Sequence, residues 1–231
     1  MTANGTSIRP LDGFHHMTMV CRNGAENARF YRDTLRLRLV KKTVNFDMPE
    51  TYHLYYGDDG GSPGTLLTFF EWPDSPSGQL GWGGTHHIAV SVASGPALAW
   101  WRGYLEREGI DVQGPFDDHG FPTIRFHDPD GLILELSAPQ GEDVPEGAPA
   151  LWAEGLAIGP LHHVAIFATN RDTALAYYRD LLGFDVLTEA PNVDDPSRSD
   201  IVFGMNADGS QRLIVTIVER DAMGRAHEGV G

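Results

Sequence analysis

The sequence predicts an α+β fold assembled from repeated βαβββ units, and three observations carry that reading. A histidine doublet at the head of a strand-like run occurs three times, in Gly13-Phe14-His15-His16-Met17-Thr18, Gly84-Thr85-His86-His87-Ile88-Ala89 and Pro160-Leu161-His162-His163-Val164-Ala165. Such self-similarity marks repeated structural units. Each doublet is followed by one stretch with helical spacing and then by several short strand candidates. The first and third helices share a further anchor: Tyr31 and Tyr178, in Phe30-Tyr31-Arg32-Asp33 and Tyr177-Tyr178-Arg179-Asp180, both lie fifteen positions after the second histidine of their unit.

The first unit spans 13–73. Phe14 to Val20 alternates so that Phe14, His16, Thr18 and Val20 share one face, as a half-buried strand requires. Asn23 to Leu37 places Ala28, Tyr31 and Leu35 on one helical stripe. Strands follow over Arg38 to Asn45, Thr51 to Tyr56 and Thr65 to Trp72, separated by Met48-Pro49-Glu50 and by a run of Gly, Asp, Ser and Pro with turn chemistry. A Pro, Ser and Gly-rich connector then leads to the second unit, 84–139. Its helix, Ala97 to Glu108, ends at Gly109, where a left-handed cap is expected. Its later strands are Ile110 to Val112, Thr123 to His127 and Leu132 to Ser137, with the turn Asp128-Pro129-Asp130-Gly131 between the last two. Residues 140–158 are acidic and rich in Pro, Gly and Ala, and read as a linker. The third unit, 159–220, has a helix from Thr173 to Leu182 closed by Gly183, then strands near Asp185 to Thr188, Ser199 to Met205 and Arg212 to Glu219. The tail 221–231 is Gly-rich and adds no element. Three units are an odd number for a motif that buries its sheet by pairing, so either the third pairs between chains in a homo-oligomer or a fourth is missing. The first two units, 13–73 and 84–139, are expected to pair with each other.

Composition narrows the function. The chain of 231 residues is 41% hydrophobic, enough for a substantial core. Seventeen Lys plus Arg against thirty-two Asp plus Glu give a formal charge of −15, which repels nucleic acid and anionic membrane surfaces. The single cysteine, Cys21, excludes an internal disulfide framework and suits a reducing, cytoplasmic location. It reads as a small buried strand residue. No secretory leader and no run of membrane-spanning length is expected.

The chemistry concentrates on the doublets and one acid. Glu135 interrupts the apolar run Leu132-Ile133-Leu134-Glu135-Leu136, and a carboxylate there is costly unless it is paired or holds a metal. His87 opens the same unit. Two imidazoles and one carboxylate suit a divalent transition ion and leave positions for substrate and oxygen. The third ligand is His16 if units one and two pair, and His163 if units two and three pair. A lone strand histidine is more often a hydrogen-bonded packing residue; the threefold repetition together with Glu135 favours metal. His15, His86 and His162 alternate to the opposite face, which suits packing or support. His53, His119 and His127 have no comparable support.

With these residues assembled, the chain resembles the vicinal oxygen chelate superfamily (glyoxalase, bleomycin resistance, extradiol dioxygenase), whose βαβββ modules pair into cupped mixed sheets with helices on the outer face. The stretches Arg38-Leu39-Val40-Lys41-Lys42-Thr43-Val44-Asn45-Phe46-Asp47, Tyr52-His53-Leu54-Tyr55-Tyr56-Gly57-Asp58 and Phe69-Phe70-Glu71-Trp72-Pro73 are similar to ring-cleaving dioxygenases that act on hydroquinones. The resemblance implies a non-haem Fe(II) extradiol-type enzyme of aromatic catabolism, using a hydroquinone- or catechol-like substrate and O2, with Mn, Zn or Ni as other possible ions. It matches His16 to an iron ligand, His15 to a proton-transferring histidine and Thr18 to a nearby polar residue. It also implies that the family's remaining histidine and glutamate lie in a fourth module, which would start after Gly231, whereas His87 and Glu135 give the second module a set of its own. The expected site is thus His16, His87 and Glu135 on the metal, with His163 as the competing ligand and His15 and Thr18 as catalytic residues. Two other functions fit the same fold: a glyoxalase-like lyase or isomerase, and a metal-free protein that sequesters a small aromatic. Arg36 stands where the family has a helix-ending glycine, and Asp118 and Arg125 stand near the places of an Arg and a Tyr ahead of the closing-strand glutamate.

Overall fold

The computed structural model describes residues 11–139 and 155–230. Most of the expected linker, 140–154, lies outside the described residues. The first unit is β1 (His16–Cys21), α1 (Gly24–Ala28) running on as a π-helical segment (Arg29–Thr34), β2 (Arg38–Val44), β3 (Tyr52–Gly57) and β4 (Leu66–Glu71). Asn23 starts the helix because its side-chain oxygen accepts from the Ala25 and Glu26 amides at 2.9 and 3.0 Å, satisfying donors that the first turn leaves open. The second unit is β5 (Thr85–Val92), α2 (Gly95–Arg107), β6 (Gln113–Asp118), β7 (Phe121–His127) and β8 (Ile133–Ser137). The third is β9 (Ile158–Ala168), α3 (Arg171–Ala174) with its π-helical continuation (Leu175–Leu181), β10 (Asp185–Pro191), β11 (Ser199–Gly204) and β12 (Arg212–Ile217). The repeated βαβββ order expected from the sequence is present in all three. One strand is displaced: the segment expected at Ile110 to Val112 forms at Gln113–Asp118, with a shift of register between Gln113 and Phe116, as a bulge with an extra residue produces.

The sheets divide the units differently from the expected pairing of the first with the second. The first unit forms its own four-stranded sheet, β1-β4-β3-β2, with β1 at one edge. The second and third share one eight-stranded sheet, β10-β11-β12-β9-β5-β8-β7-β6, joined where the opening strands β5 and β9 run antiparallel. Units one and two meet through the faces that carry their cores. Phe30, Tyr31, Leu35 and Phe69 of the first pack with Trp101, Leu105, Phe126 and Leu134 of the second in one buried cluster. A buried polar contact crosses it: the Tyr31 hydroxyl donates to Asp128 Oδ2 at 3.0 Å, while Asp128 Oδ1 accepts from the Asp130 and Leu132 amides, both at 2.9 Å. The third unit has a separate core of Val164, Phe184, Ile201, Phe203 and Val215.

Among its described residues the tail adds no helix or strand, as expected, but it is tied to the rest of the chain. Its residues bridge to the connector between the first two units, Val230 with Ser77, His227 with Gln79 and Arg225 with Trp82, and the guanidinium carbons of Arg220 and Arg225 stand 4.8 and 5.7 Å from the Trp82 ring centre. Cys21 is buried, and burial pushes its thiol up to about 12, which removes it from nucleophilic chemistry. Among the described residues no helix is long and apolar enough to cross a membrane.

The residue after each helix is left-handed: Gly109 at φ 82°, Gly183 at φ 77° and, in the first unit, Arg36 at φ 60°. A side chain there costs about 1–2 kcal/mol, so Arg36→Gly, at an exposed position, should stabilise the protein by about 0.5–1 kcal/mol after the greater chain entropy of glycine is subtracted. Urea unfolding measures this. Burial raises the Asp128 carboxyl from 3.8 to about 6 despite its hydrogen bonds. Folding therefore favours the protonated acid, and this contribution is present below pH 3.8 and lost as pH rises through 6. The stability of Asp128→Asn relative to the parent should accordingly rise by about 2 kcal/mol between pH 4 and pH 6.5 in paired urea titrations.

Candidate metal centre

The antiparallel contact of β5 and β9 fixes the site. Ala89 stands opposite His163 on β9 and opposite Glu135 on β8. Paired residues of neighbouring strands project from the same face, so Ala89 lies between the imidazole and the carboxylate, and its methyl leaves the space between them open. His87, two residues earlier on β5, points the same way. Asp118, at the end of β6, closes the group from the other side. The four ligand atoms of His87, Asp118, Glu135 and His163 all lie within 4.8 Å of one another, and all four residues are buried.

Distances within the group are those of ligands around a common centre. The two imidazole Nε2 atoms are 2.9 Å apart. Glu135 Oε2 is 3.4 Å from each of them, and Asp118 Oδ2 is 3.3 Å from His163 Nε2. Donor atoms bound to one ion at about 2.1 Å stand roughly 3–3.5 Å from each other. Glu135 Oε2 and Asp118 Oδ2 are buried without a hydrogen-bond partner, an arrangement that costs free energy unless something cationic satisfies them. The residues therefore fit a divalent ion held by two imidazole nitrogens and carboxylate oxygen.

The surroundings orient each ligand. Arg125 sits opposite Glu135 in the β7–β8 ladder and its Nε and Nη2 both lie 2.7 Å from Glu135 Oε1, while Nη1 reaches Asp194 Oδ2 at 2.8 Å. One carboxylate oxygen is thus committed to the guanidinium and the other is left to the centre. His87 Nδ1 is 3.1 Å from His86 Nδ1, and His163 Nδ1 is 2.8 Å from His162 Nδ1. With Nε2 reserved for an ion, the ligand histidine carries its proton on Nδ1 and the preceding histidine accepts it, which sets both tautomers. Burial pushes His87 well below the ordinary histidine value and, with the nearby His163 and Arg212, takes His162 down to about 3. For the ligand His87 this favours the neutral imidazole that metal ligation requires. Burial opposes the charge on Glu135, but His87, His163 and Arg125 together hold its carboxyl well below the usual range. Burial raises Asp118.

Of the residues expected at the site, the structure brings together His87, Glu135 and His163 and leaves His16 apart. His16 is exposed on the edge strand β1 of the other sheet, with its Nδ1 3.0 Å from that of His15. His15 is exposed beside it, and Thr18 accepts from the Thr68 hydroxyl at 3.0 Å. The ladder gives the reason. The position facing Thr18 across β1 and β4 is Thr68, and the one facing Ala165 across β9 and β12 is Ile214, whereas the equivalent position facing Ala89 is Glu135. The second unit alone has a carboxylate there. Sequence reasoning missed Asp118 as a member, because nothing in Phe116-Asp117-Asp118-His119 separates it from a solvated hairpin acid. It also missed His119, whose Nε2 is 2.9 Å from Asp200 Oδ2 and 3.7 Å from Asp118 Oδ1, with φ at 49°.

Comparison with known proteins agrees with this architecture. The model for the Glyoxalase/Bleomycin resistance protein/Dioxygenase superfamily matches residues 13–136. "Putative ring-cleaving dioxygenase MhqE" of Bacillus subtilis is 34% identical over 188 residues, covering 79% of this chain and 59% of that protein. The chlorohydroquinone/hydroquinone 1,2-dioxygenase of Sphingobium indicum is 32% identical over 130 residues, 54% of this chain and 40% of that protein. The chain therefore spans between two fifths and three fifths of the length of these relatives. The crystal structure of a putative dioxygenase from Bacillus subtilis superposes with TM-score 0.80 at 29% identity, over 97% of this chain and 68% of that one. Maize glyoxalase I shares the fold, with TM-score 0.68 at 16% identity over 94% of this chain and 72% of that one. A family model that matches more than half of the chain, across its first two units, shows that the chain belongs to the Glyoxalase/Bleomycin resistance protein/Dioxygenase superfamily.

Proposed function

We propose that this chain is part of a metal-dependent dioxygenase that opens a hydroquinone- or catechol-like ring, with the ion held by His87, His163 and Glu135 and with Asp118 as a fourth donor. The observation that carries the metal is the pair of buried carboxylate oxygens, Glu135 Oε2 and Asp118 Oδ2, which lack hydrogen bonds and face two imidazole nitrogens. The aromatic substrate and O2 come from the relatives named above for ring cleavage. Two imidazoles with carboxylate oxygen and no thiolate suit Fe(II), and also Mn, Zn or Ni. When bound, such an ion would supply a Lewis acid for a phenolic oxygen, and Fe(II) or Mn would add the redox chemistry that cleavage with O2 requires, which Zn lacks.

The chain's own groups do the rest. Arg125 locks the carboxylate so that one oxygen faces the centre, and the His86 and His162 rings fix the orientation of the ligands behind them. The sheet excludes water, since all four centre residues are buried. In this buried site the two carboxylates and the Arg125 guanidinium are screened less than they would be in water. Thr18 lies in β1 of the other sheet and His15 just ahead of that strand, so in this reading proton transfer falls to groups of the second and third units. A cytoplasmic location and a homo-oligomeric state belong to the same reading.

Two measurements test it. Titration of the metal-stripped protein with Zn(II) should show one tight site; Glu135→Gln should abolish it, Asp118→Asn should weaken it about 10–100-fold, and His16→Ala should leave it unchanged. Loss of the site in His16→Ala with retention in Glu135→Gln would place the ion elsewhere. Anaerobic loading with Fe(II) followed by hydroquinone and air should give oxygen uptake in proportion to iron content; full iron occupancy without uptake rejects ring cleavage.

A further inference from the structure

Two arginines line the eight-stranded sheet beside the metal centre, and they are in opposite electrostatic states. Arg125 is saturated by Glu135 and Asp194. Arg212 heads β12 directly opposite His163 in the parallel ladder, so both side chains leave the sheet on one face. Its Nε donates to the Gly209 carbonyl at 3.0 Å, and among the described residues no carboxylate forms an ion pair with it. In a chain with thirty-two acidic and seventeen basic residues, a half-buried cation without a counter-ion is an unspent charge, since burial of an unpaired guanidinium is costly. Burial lowers its pKa, and Asp118 is the acid that opposes the shift. Asp118, however, already directs its free oxygen at His163.

The guanidinium is also held in place. Its carbon lies 4.3 Å from the centre of the Phe121 ring, a cation–π distance. Phe121 in turn meets the His162 ring edge to face at 4.5 Å, and His162 bonds the ligand His163. Arg212, Phe121 and His162 thus form a ladder of planar groups leading to the metal. Phe121 and Arg212 are partly exposed whereas His162 and His163 are buried, which puts the arginine on the solvent side of the centre. A planar fork of N–H donors, pre-oriented by an aromatic face, matches a carboxylate.

We propose that Arg212 is a specificity-determining residue that binds a carboxylate carried on the aromatic ring of the substrate, so that this centre selects acidic hydroquinones over neutral ones. The inference rests on the reading of the cluster as a catalytic metal centre.

Binding to the Zn(II)-loaded protein tests it, with 2,5-dihydroxybenzoate and hydroquinone as probes in calorimetric titrations. The parent should bind the acid at least about tenfold more tightly than the neutral ring, the equivalent of one charge-assisted hydrogen bond. Arg212→Gln should remove that preference by weakening the acid about tenfold while hydroquinone changes by less than about threefold. Arg212→Lys, which keeps the charge and loses the fork, should give a smaller but measurable loss and serves if the glutamine variant does not fold. Zinc content should be the same in all three. A parent without preference, a variant that weakens both probes equally, or a lysine variant indistinguishable from the parent overturns the proposal. Because zinc supports no oxidation of the ring, the result is independent of oxygen uptake. Selective binding without uptake by the iron form retains the role of Arg212 and rejects the dioxygenase, and uptake with unselective binding does the reverse.

Discussion

The antiparallel contact between β5 and β9 is the constraint on which the rest depends. Each is the opening strand of a unit that begins with a histidine doublet, and their pairing places His87 and His163 with ring nitrogens 2.9 Å apart. It also makes the eight-stranded sheet continuous. Register is strict here, because a slip by one residue sends every side chain to the opposite face. His87 and Ala89 would then turn away from the centre and Ile88 into it, while Ile88 and Val90 would leave the core that they share with Leu134 and Leu136. The hydrophobic pattern of β5 therefore protects the metal geometry, since the same alternation that buries the core aims the imidazoles.

Electrostatic balance at this contact is nearly closed within the protein. Glu135, with 0% exposure, is held below the usual carboxyl range against the effect of burial, and the Arg125 guanidinium is the fixed cation paired with it. Arg125 is itself buried and draws on Asp194 from the third unit. The pair ties β7 to the loop after β10, so that the two halves of the sheet are joined by charge at its ends as well as by backbone in its middle. His119 repeats the device by contacting Asp200. Buried pairs of this kind contribute little net stability compared with apolar packing, and breaking one is expensive. Their value here is positional, because they fix which oxygen of Glu135 is free.

Much of this was legible in the sequence, and the omissions have physical causes. Repetition of the doublet revealed the units, and an acid inside Leu132-Ile133-Leu134-Glu135-Leu136 identified Glu135, because burying a charge is so costly that its presence needs a reason. His87 and His163 followed from strand alternation. The partner of the second unit did not follow, since an opening strand can pair with any other opening strand and the choice depends on the whole packing. Consequently the sequence puts His16 first and His163 as its competitor, whereas His163 is the one that stands with His87 and Glu135. Asp118 was not recognisable as a ligand for another reason: its place is set by where the edge strand β6 ends, and the register shift within β6 leaves no mark in the hydrophobic pattern. The Gly-rich tail hid its bridges to the connector because isolated bridges leave no hydrophobic period.

Comparison of the three units at one ladder position shows how a repeated fold becomes a single centre. The residue facing the small strand position after the second histidine is Thr68 in the first unit, Glu135 in the second and Ile214 in the third. Threonine leaves the first sheet with a chain of neutral hydrogen bonds, from Thr18 through Thr68 and His53 to the Tyr55 hydroxyl. Isoleucine gives the third unit a small apolar patch with Ala165 and Val202 on the face that carries the centre. Only glutamate supplies charge. A second glutamate in place of Ile214 would add an uncompensated buried anion beside Glu135, because Val202 occupies the ladder position that Arg125 holds in the second unit. One unit can therefore carry the carboxylate and its guanidinium, and the neighbouring unit must contribute an imidazole and an apolar wall. The asymmetry between otherwise equivalent repeats follows from the cost of burying charge.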